Sequence, residues 1–264
     1  MPYPFPATPM TVTVLIRGLF SIILVAAASP AAAQGRILIG EGALVDTGSG
    51  AIDLGCASLT VEGRAGGVWT EIDSVAAGPN AELTTTRIDF GGDWRSAAGL
   101  QAVSGQVNWR QQCERSEGSL LGSNRFQSLS ITSTTGVVRR VDASGQQVIN
   151  QSLRIEGGTG PVVLRSTVNG QGAPLTVEDT ATWTILGADV GDINSSGGQP
   201  LTSDDPTRFQ AVDSGGNSNW FISALPMPVP VPLLSGVGLL VLLLLVFLLG
   251  GRHLSAGLPS PQTI

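Results

Sequence analysis

Few side chains in this sequence can act as nucleophiles, bases or metal ligands, and their types restrict the chemistry. All 14 basic residues of the 264-residue chain are arginines, so Schiff-base chemistry on lysine is excluded. The one histidine is His253, and only eleven residues follow it. A Ser-His-Asp or Cys-His triad within the central part of the chain is therefore excluded. Two cysteines without a nearby histidine do not make an ordinary zinc site, so we expect no metal and no cofactor.

Carboxylates are the remaining catalytic candidates. All 20 acidic residues lie between Glu41 and Asp213, and the candidates are Asp189, Asp192 and the pair Asp204-Asp205. Paired carboxylates can bind Ca²⁺ or serve as general acid and base. Aspartate in a Ser/Gly-rich segment is more often a turn former, which is the interpretation that we favour.

Arginines and tryptophans offer two weaker candidates. Arg139 and Arg140 are adjacent, and adjacent strand residues point to opposite faces, so only one can enter a given site. We expect a solvated or paired arginine there. Tryptophans can stack on sugars, but packing in or around a core is their usual role. The five are Trp69, Trp94, Trp109, Trp183 and Trp220. No catalytic constellation emerges, and we predict that the protein is not an enzyme.

The two cysteines, Cys56 and Cys113, form an even pair. In an exported chain such a pair predicts a disulfide, and two buried free thiols are the alternative. Closing a loop of this length stabilises a fold by about 4 kcal/mol in the chain-entropy description.

The N-terminus has the pattern of a secretory signal peptide. Arg17 precedes an apolar run over residues 18–28, and the small residues of 31–33 follow. We assign residues 1–33 to a signal helix cleaved between Ala33 and Gln34. Either Met1 or Met10 is the start.

The C-terminus has the pattern of a membrane anchor. Residues 233–251 contain one polar side chain, Ser235, and a helix of that length spans about 28 Å, close to the bilayer core. We predict a Pro-rich spacer over 223–232, a transmembrane helix over 233–251 and a short cytoplasmic tail over 252–264. The membrane is thus an expected partner.

The start of this anchor resembles the IPTL-type C-terminal sorting signals of Gram-negative bacteria, relatives of the PEP-type signals processed by exosortase-like enzymes. Leu233 departs from the threonine that is usual there. The resemblance implies a C-terminal sorting peptidase as partner and a location in the envelope or on the surface of a Gram-negative bacterium. The motif positions are Val231, Pro232, Leu234, Ser235 and Gly238.

The body, residues 34–222, has the pattern of an all-β fold. Short alternating runs recur between Gly, Asn and Ser clusters, as in strands, and no long stretch has helical spacing. Such runs leave two architectures open, a β-sandwich and a stacked β-helix. Predicted strands include 58–62, 105–109, 128–132, 151–156, 162–165 and 181–185.

The order of motifs over residues 91–222 resembles the β-solenoid region of bacterial exported surface proteins. In those proteins the series often ends in a Gly-Asn-Asn-x-Asn-Trp-x-Phe-like strand, similar to the segment around Trp220. The resemblance implies a right-handed parallel β-helix, with an N-terminal signal helix and a C-terminal transmembrane helix outside it. About 20–25 residues per coil would give roughly eight coils. Residues 34–50 and the strand near Trp220 are expected to cover the two ends.

These patterns favour a membrane-anchored cell-surface or envelope protein with a structural or adhesin-like role, sorted by its C-terminal signal. The alternative is a membrane-tethered β-helix that binds or cleaves an extracellular polysaccharide. The body carries 12 arginines against 20 acidic residues, so nucleic acid is not an expected partner.

Overall fold

Strands dominate the residues that the structure, a computed structural model, describes: 11–14, 22–25, 35–202 and 206–221. They include one short 3-10 helix, Pro206–Phe209. Within these ranges no helix is long and apolar enough to cross a lipid bilayer. The strands are β1 (Thr11–Val14), β2 (Ile22–Val25), β3 (Arg36–Ile39), β4 (Leu44–Asp53), β5 (Ser58–Val61), β6 (Arg64–Ile72), β7 (Val75–Ala77), β8 (Glu82–Phe90), β9 (Trp94–Arg110), β10 (Glu117–Val141), β11 (Gln147–Ser166), β12 (Ala173–Val177), β13 (Thr182–Leu186), β14 (Ala188–Gly191), β15 (Ile193–Asn194) and β16 (Val212–Asp213).

From β3 onward the described strands pair in parallel, each with a segment one coil later in the chain. The winding repeats about eight times and forms a parallel β-solenoid, which confirms the β-helix prediction and excludes the β-sandwich. Coil length varies: Val75 pairs 16 residues after Leu59, whereas Leu120 pairs 26 residues after Trp94. Coils 1 to 8 begin at Arg36, Ser58, Val75, Trp94, Glu117, Val137, Val162 and Ala188.

Coils 1 to 7 each have three strand segments, which define three faces. In coil 4 these are the residues 94–96, 101–103 and 106–110 of β9. Gly105 makes the corner between the second and third faces with φ +73°, and a Cβ there would lie 2.2 Å from the Thr85 carbonyl oxygen. Glycine is needed at this corner because the backbones of adjacent coils approach closely. The segments on face 3 are residues 51–53, 68–72, 87–90, 106–110, 128–132, 152–156 and 182–186.

The core runs along the inside of the stack and changes composition on the way. Phe90 and Trp109 occupy equivalent positions and stack with ring centroids 5.6 Å apart. Further along the same column the buried residues become aliphatic. They are Ile131, Ile155 and Ile185.

At the N-terminal end the structure differs from the signal-helix prediction. β2 pairs antiparallel with β3, and β1 pairs with β2, so the described residues within the predicted signal helix are strands. The run Ile22–Val25 is rich in β-branched residues, and the free edge of β3 offers unpaired backbone groups, so strand pairing is locally favoured. The predicted cleavage positions Ala33 and Gln34 lie outside the described residues.

The first coil of the stack also differs from expectation. Within 34–50, β3 and the start of β4 form the first coil itself rather than a separate cap. At the other end Trp220 bridges to Leu201 and is buried.

The chain divides into two units, Met1–Ser223 and Ala224–Ile264. The second unit lies outside the described residues. The same holds for the predicted spacer 223–232, the transmembrane helix 233–251, the tail 252–264 and the sorting motif.

Candidate functional site

The predicted disulfide is present. Cys56 and Cys113 are bonded, with their Cα atoms 5.4 Å apart and a sequence separation of 57 residues. Cys56 lies at the corner between coils 1 and 2, and Cys113 lies between coils 4 and 5. The covalent loop between them therefore comprises coils 2, 3 and 4.

Cys113 belongs to a segment that we call the corner strap, residues 111–116, which folds back over earlier corners. The Gln112 Nε2 atom donates to the carbonyl oxygens of Ile72 (3.0 Å) and Asp89 (3.1 Å). The Arg115 guanidinium forms two hydrogen bonds, of 2.7 and 2.9 Å, to the Asp73 carboxylate, whose side chain is only 2% exposed. These hydrogen bonds raise the pKa of Arg115. The strap thus fixes coil 4 against coils 2 and 3.

The first residue of the strap reaches in the opposite direction. Gln111 Oε1 accepts from the backbone amides of Thr134 (3.1 Å) and Thr135 (3.0 Å), and its Nε2 donates to Thr135 Oγ1 (2.7 Å). One short segment therefore positions both the preceding corners and the next one.

Beside this corner lies a polar hollow of about 420 Å³ on the outside of face 3. A second hollow of about 260 Å³ continues from it, and both are lined by Gln106, Ser130 and Arg154. Together we call them the face-3 groove; it extends over coils 4 to 7. Its remaining lining is Asn108, Arg110, Gln111, Ser128, Leu129, Thr132, Ser133, Thr134, Ser152, Leu153, Thr182 and Thr184.

The groove exists because short and long side chains alternate along the stack. Asn108, Ser130, Arg154 and Thr184 occupy one outward column of paired positions, so a serine lies between two longer residues. The hydroxyl-bearing residues of coils 5 and 7 form a low floor, and Arg154 rises above it. The core side chains of the same strands point the other way, as the alternation of a strand requires.

An ion-pair network around Asp89 of coil 3 lies beside one end of the groove and includes the groove residues Asn108 and Arg110. Arg87 Nε donates to Asp89 Oδ1 at 2.9 Å, Asn108 Nδ2 donates to the same oxygen at 2.6 Å, and Arg110 Nη1 lies 3.6 Å from Oδ2. Burial of Asp89, with a side chain 4% exposed, opposes ionisation. The hydrogen bonds from Arg87 and Asn108 and the charge of Arg110 outweigh it, so the pKa lies below its ordinary value.

The groove arginines are accessible to solvent, whereas the carboxylates that pair with them are more buried. The side chain of Arg110 is 45% exposed and that of Arg154 is 58% exposed. Arg154 Nη2 donates to Glu156 at 2.6 Å, an exposed pair of little energetic weight. The groove therefore presents mainly guanidinium, amide and hydroxyl groups to solvent.

The acidic candidates from the sequence occupy turns and ladders. Asp189 accepts from Arg165 Nη2 at 2.8 Å and from Ser214 Oγ at 2.6 Å. Asp192 Oδ2 accepts from the Gly170 amide at 2.9 Å. Asp189 lies in β14 and contacts side chains of neighbouring coils, so it is not a turn residue. Asp192 lies in the bend between β14 and β15, in agreement with the turn interpretation. Asp204-Asp205 lies outside the described residues.

Arg139 departs from its prediction. It is fully buried and not solvated or paired: its guanidinium lies 4.7 Å from the Trp109 ring centroid, and Nη2 donates to the Arg110 carbonyl at 2.8 Å. Its Nε and Nη1 atoms have no hydrogen-bond partner among the described residues, and burial lowers its pKa to about 10. Arg140 is half-buried on the opposite face, as alternation predicts.

The tryptophans are core residues rather than a sugar-stacking surface. Trp69, Trp94, Trp109 and Trp220 are buried, and Trp183 is partly buried against Phe209.

Groups of metal-ligating side chains are sparse among the described residues. Cys56, Glu71 and Cys113 have ligand atoms within 4.8 Å of one another. Both sulfurs belong to the disulfide, so they are not available as thiolates.

No family model matches the chain, and no curated protein or solved structure is detectably similar to it. The class of this protein is therefore inferred from its fold and from the face-3 groove. The sequence had not singled out the groove residues Gln106, Asn108 and Arg154. The available signal was that these residues are separated in the sequence by the length of two coils or less. Because coil lengths are uneven, that spacing could not be recognised as a repeat.

Proposed function

We propose that this chain is an exported, membrane-anchored β-solenoid of the bacterial envelope or surface with a structural or adhesin-like role. The observation that carries the proposal is a stack of about eight parallel coils closed by the Cys56–Cys113 disulfide. Disulfides of this kind persist in oxidising compartments outside the cytoplasm. The signal pattern of residues 1–33 and the apolar segment 233–251 support the same location.

The strand pairing between successive coils is consistent with a scaffold role. Each inner coil pairs along its length with the coil before it and the coil after it, so the faces form a continuous and regular surface. We expect right-handed winding, because parallel strand crossovers are right-handed in about 98% of cases. Recognition of residues 231–238 by a sorting peptidase is part of the same proposal.

The proposal includes no catalytic activity. A general acid at neutral pH needs a raised carboxyl pKa. The Asp89 carboxyl has a lowered pKa, and so does that of Asp142: burial opposes its ionisation, but hydrogen bonds from Gly122, Ser144 and Gly145 outweigh it. The described groove residues include neither histidine nor lysine.

The test is expression of the full chain in a Gram-negative host, followed by fractionation and mass spectrometry of its termini. We expect a mature N-terminus at Gln34, location in the membrane fraction and no thiol labelling without reductant. An Ala33→Asp variant should keep the uncleaved N-terminus and serves as the control for signal processing. A cytosolic protein that begins at Met1 or Met10 and takes up two thiol labels contradicts the proposal.

A second candidate function, polysaccharide binding, is favoured by one specific observation, the polar and arginine-bearing groove on face 3.

A further inference from the structure

We propose that the face-3 groove binds a carboxylated polysaccharide, with Arg110 and Arg154 as its anion contacts. The inference rests on the proposed function, because an exported surface protein meets such polymers outside the cell. It assigns a ligand class and two contact residues to a surface of the solenoid.

Charge is the first argument. The Asp89 carboxylate is covered by Arg87 and Asn108, whereas Arg110 is held only by a 3.6 Å contact. Arg154 is more exposed than its partner Glu156, at 58% against 29%. A body with an excess of acidic residues thus carries a local surface that offers positive charge. Guanidinium groups bind carboxylates through paired, charge-assisted hydrogen bonds.

Spacing is the second argument. The groove crosses several coils, and adjacent coils are about 4.8 Å apart, close to the rise of one sugar residue along a glycan chain. Arg110 belongs to coil 4 and Arg154 to coil 6, so they are separated by about 10 Å along the stack and by two positions, about 7 Å, along the strands. Carboxylates on alternate sugars of an extended chain that runs obliquely across the coils lie close to that separation.

The lining is the third argument. Between the two arginines the floor presents hydroxyl groups, among them Ser130 and Thr132, which suit the hydroxyls of a sugar. No aromatic residue belongs to the described lining, so stacking on a sugar face is not available. Affinity must therefore depend on the carboxylates, and a neutral glycan should bind weakly.

The test measures binding of fluorescent hexamers to the full-length protein in a mild detergent. The probes are hexagalacturonate, hexamannuronate, the methyl-esterified hexagalacturonate and hexaglutamate. We expect at least one uronate hexamer to bind. Its neutral ester should bind about tenfold more weakly or worse, because it lacks the charge-assisted contacts.

Two variants and a matched control locate the site. Arg110→Gln and Arg154→Gln should each weaken uronate binding by about tenfold. Arg64→Gln removes an arginine of another exposed ion pair, with Glu82, outside the groove, and should change binding by less than about twofold. Circular dichroism of each variant establishes that the fold is retained.

Absence of binding to both uronates overturns the inference, as does an equal loss in Arg64→Gln. Hexaglutamate binding as tightly as the uronate overturns the assignment to a polysaccharide. Shortened oligosaccharide products together with arginine-dependent binding support the groove and contradict the non-catalytic role. None of these results changes the Gln34 terminus or the membrane location, so failure of the groove is separable from failure of the proposed function.

Discussion

Coils 1 to 5 and coils 6 to 8 have the same backbone ladder but are fastened at their corners by different groups. The earlier coils use charge and covalent chemistry: the Cys56–Cys113 bond, the Arg115–Asp73 pair and the Arg87–Asp89 pair. Their core is aromatic where Trp94 packs edge-on against Phe126, with centroids 5.5 Å apart.

The later coils combine the Arg165–Asp189 ion pair with neutral amide side chains that bind neighbouring backbone. Asn217 Nδ2 donates to the Val190 carbonyl at 2.9 Å, and Asn219 Nδ2 donates to the Ser195 carbonyl at 3.0 Å. Gln199 Nε2 reaches two carbonyls of the previous coil in the same way. The Asn-x-Asn-Trp segment that is notable in the sequence therefore fixes the final coil.

The difference implies that the two regions respond to different conditions. Carboxylates titrate and disulfides can be reduced, whereas amides do neither. The earlier coils should therefore be sensitive to reductant and the later coils should not, whereas acid should affect both regions through their ion pairs.

The largest expected effect is that of Trp109→Ala. Trp109 is fully buried and stacked on Phe90, so its removal should lower the free energy of unfolding by about 3–5 kcal/mol. Hydrogen exchange should show the loss of protection concentrated in coils 3 to 5. Ile185→Ala, at the equivalent position of coil 7, should expose the later coils instead. Uniform loss of protection in both variants contradicts the comparison.

The next effect is that of replacing both cysteines by serine. The loss of the 57-residue loop constraint should lower the free energy of unfolding by about 4 kcal/mol, measured by chemical denaturation. Reductant should have the same effect on the wild type and none on the double variant. A reductant effect that persists in the double variant would show that the bond is not its cause.

A smaller effect concerns acid. Because the folded-state pKa of Asp89 is lowered, its contribution is present above the unfolded pKa of about 3.9 and is lost as pH falls through the folded value. Asp89→Asn should cost about 1.5–3 kcal/mol at neutral pH and flatten the loss of stability below about pH 4.

Gln199→Ala is the matched control, since it removes a neutral corner contact of the later coils. It should lower stability at neutral pH and leave the acid slope unchanged. An unchanged acid slope in Asp89→Asn would contradict the assignment of acid sensitivity to that ion-pair network.

The smallest effect is expected for Arg139→Met. The buried guanidinium has two nitrogens without partners in the described part of the chain, so an apolar chain of similar length should keep stability within about 1 kcal/mol or raise it. Arg139→Ala should be clearly less stable because it leaves a cavity beside Trp109. Thermal denaturation of the two variants tests this prediction. A methionine variant as unstable as the alanine variant would mean that the charge itself is needed.

Much of the body could be predicted from local patterns. Alternation over 128–132 predicts a strand because side chains of a strand have period two, and β10 contains it. The even cysteine pair predicted the disulfide, and the length of the body predicted about eight coils. These features depend only on neighbouring residues, composition and chain length.

The strands β1 and β2 show where local pattern was insufficient. Apolar residues after an arginine have the same pattern whether they form a signal helix or pair as a strand, and the free edge of β3 decides between the two in this structure.

The sequence by itself determined the strands, the all-β class and the cysteine pairing, because each follows from residue type and local period; the solenoid was implied only by the resemblance. Only the tertiary structure decided the register between coils, since coil lengths of 16 to 30 residues cannot be aligned from spacing alone. The register places Arg110 and Arg154 in the same groove, and the stacking of the coils places Arg139 in the interior. Sequence neighbours determine neither placement, because the residues that surround these arginines come from other coils.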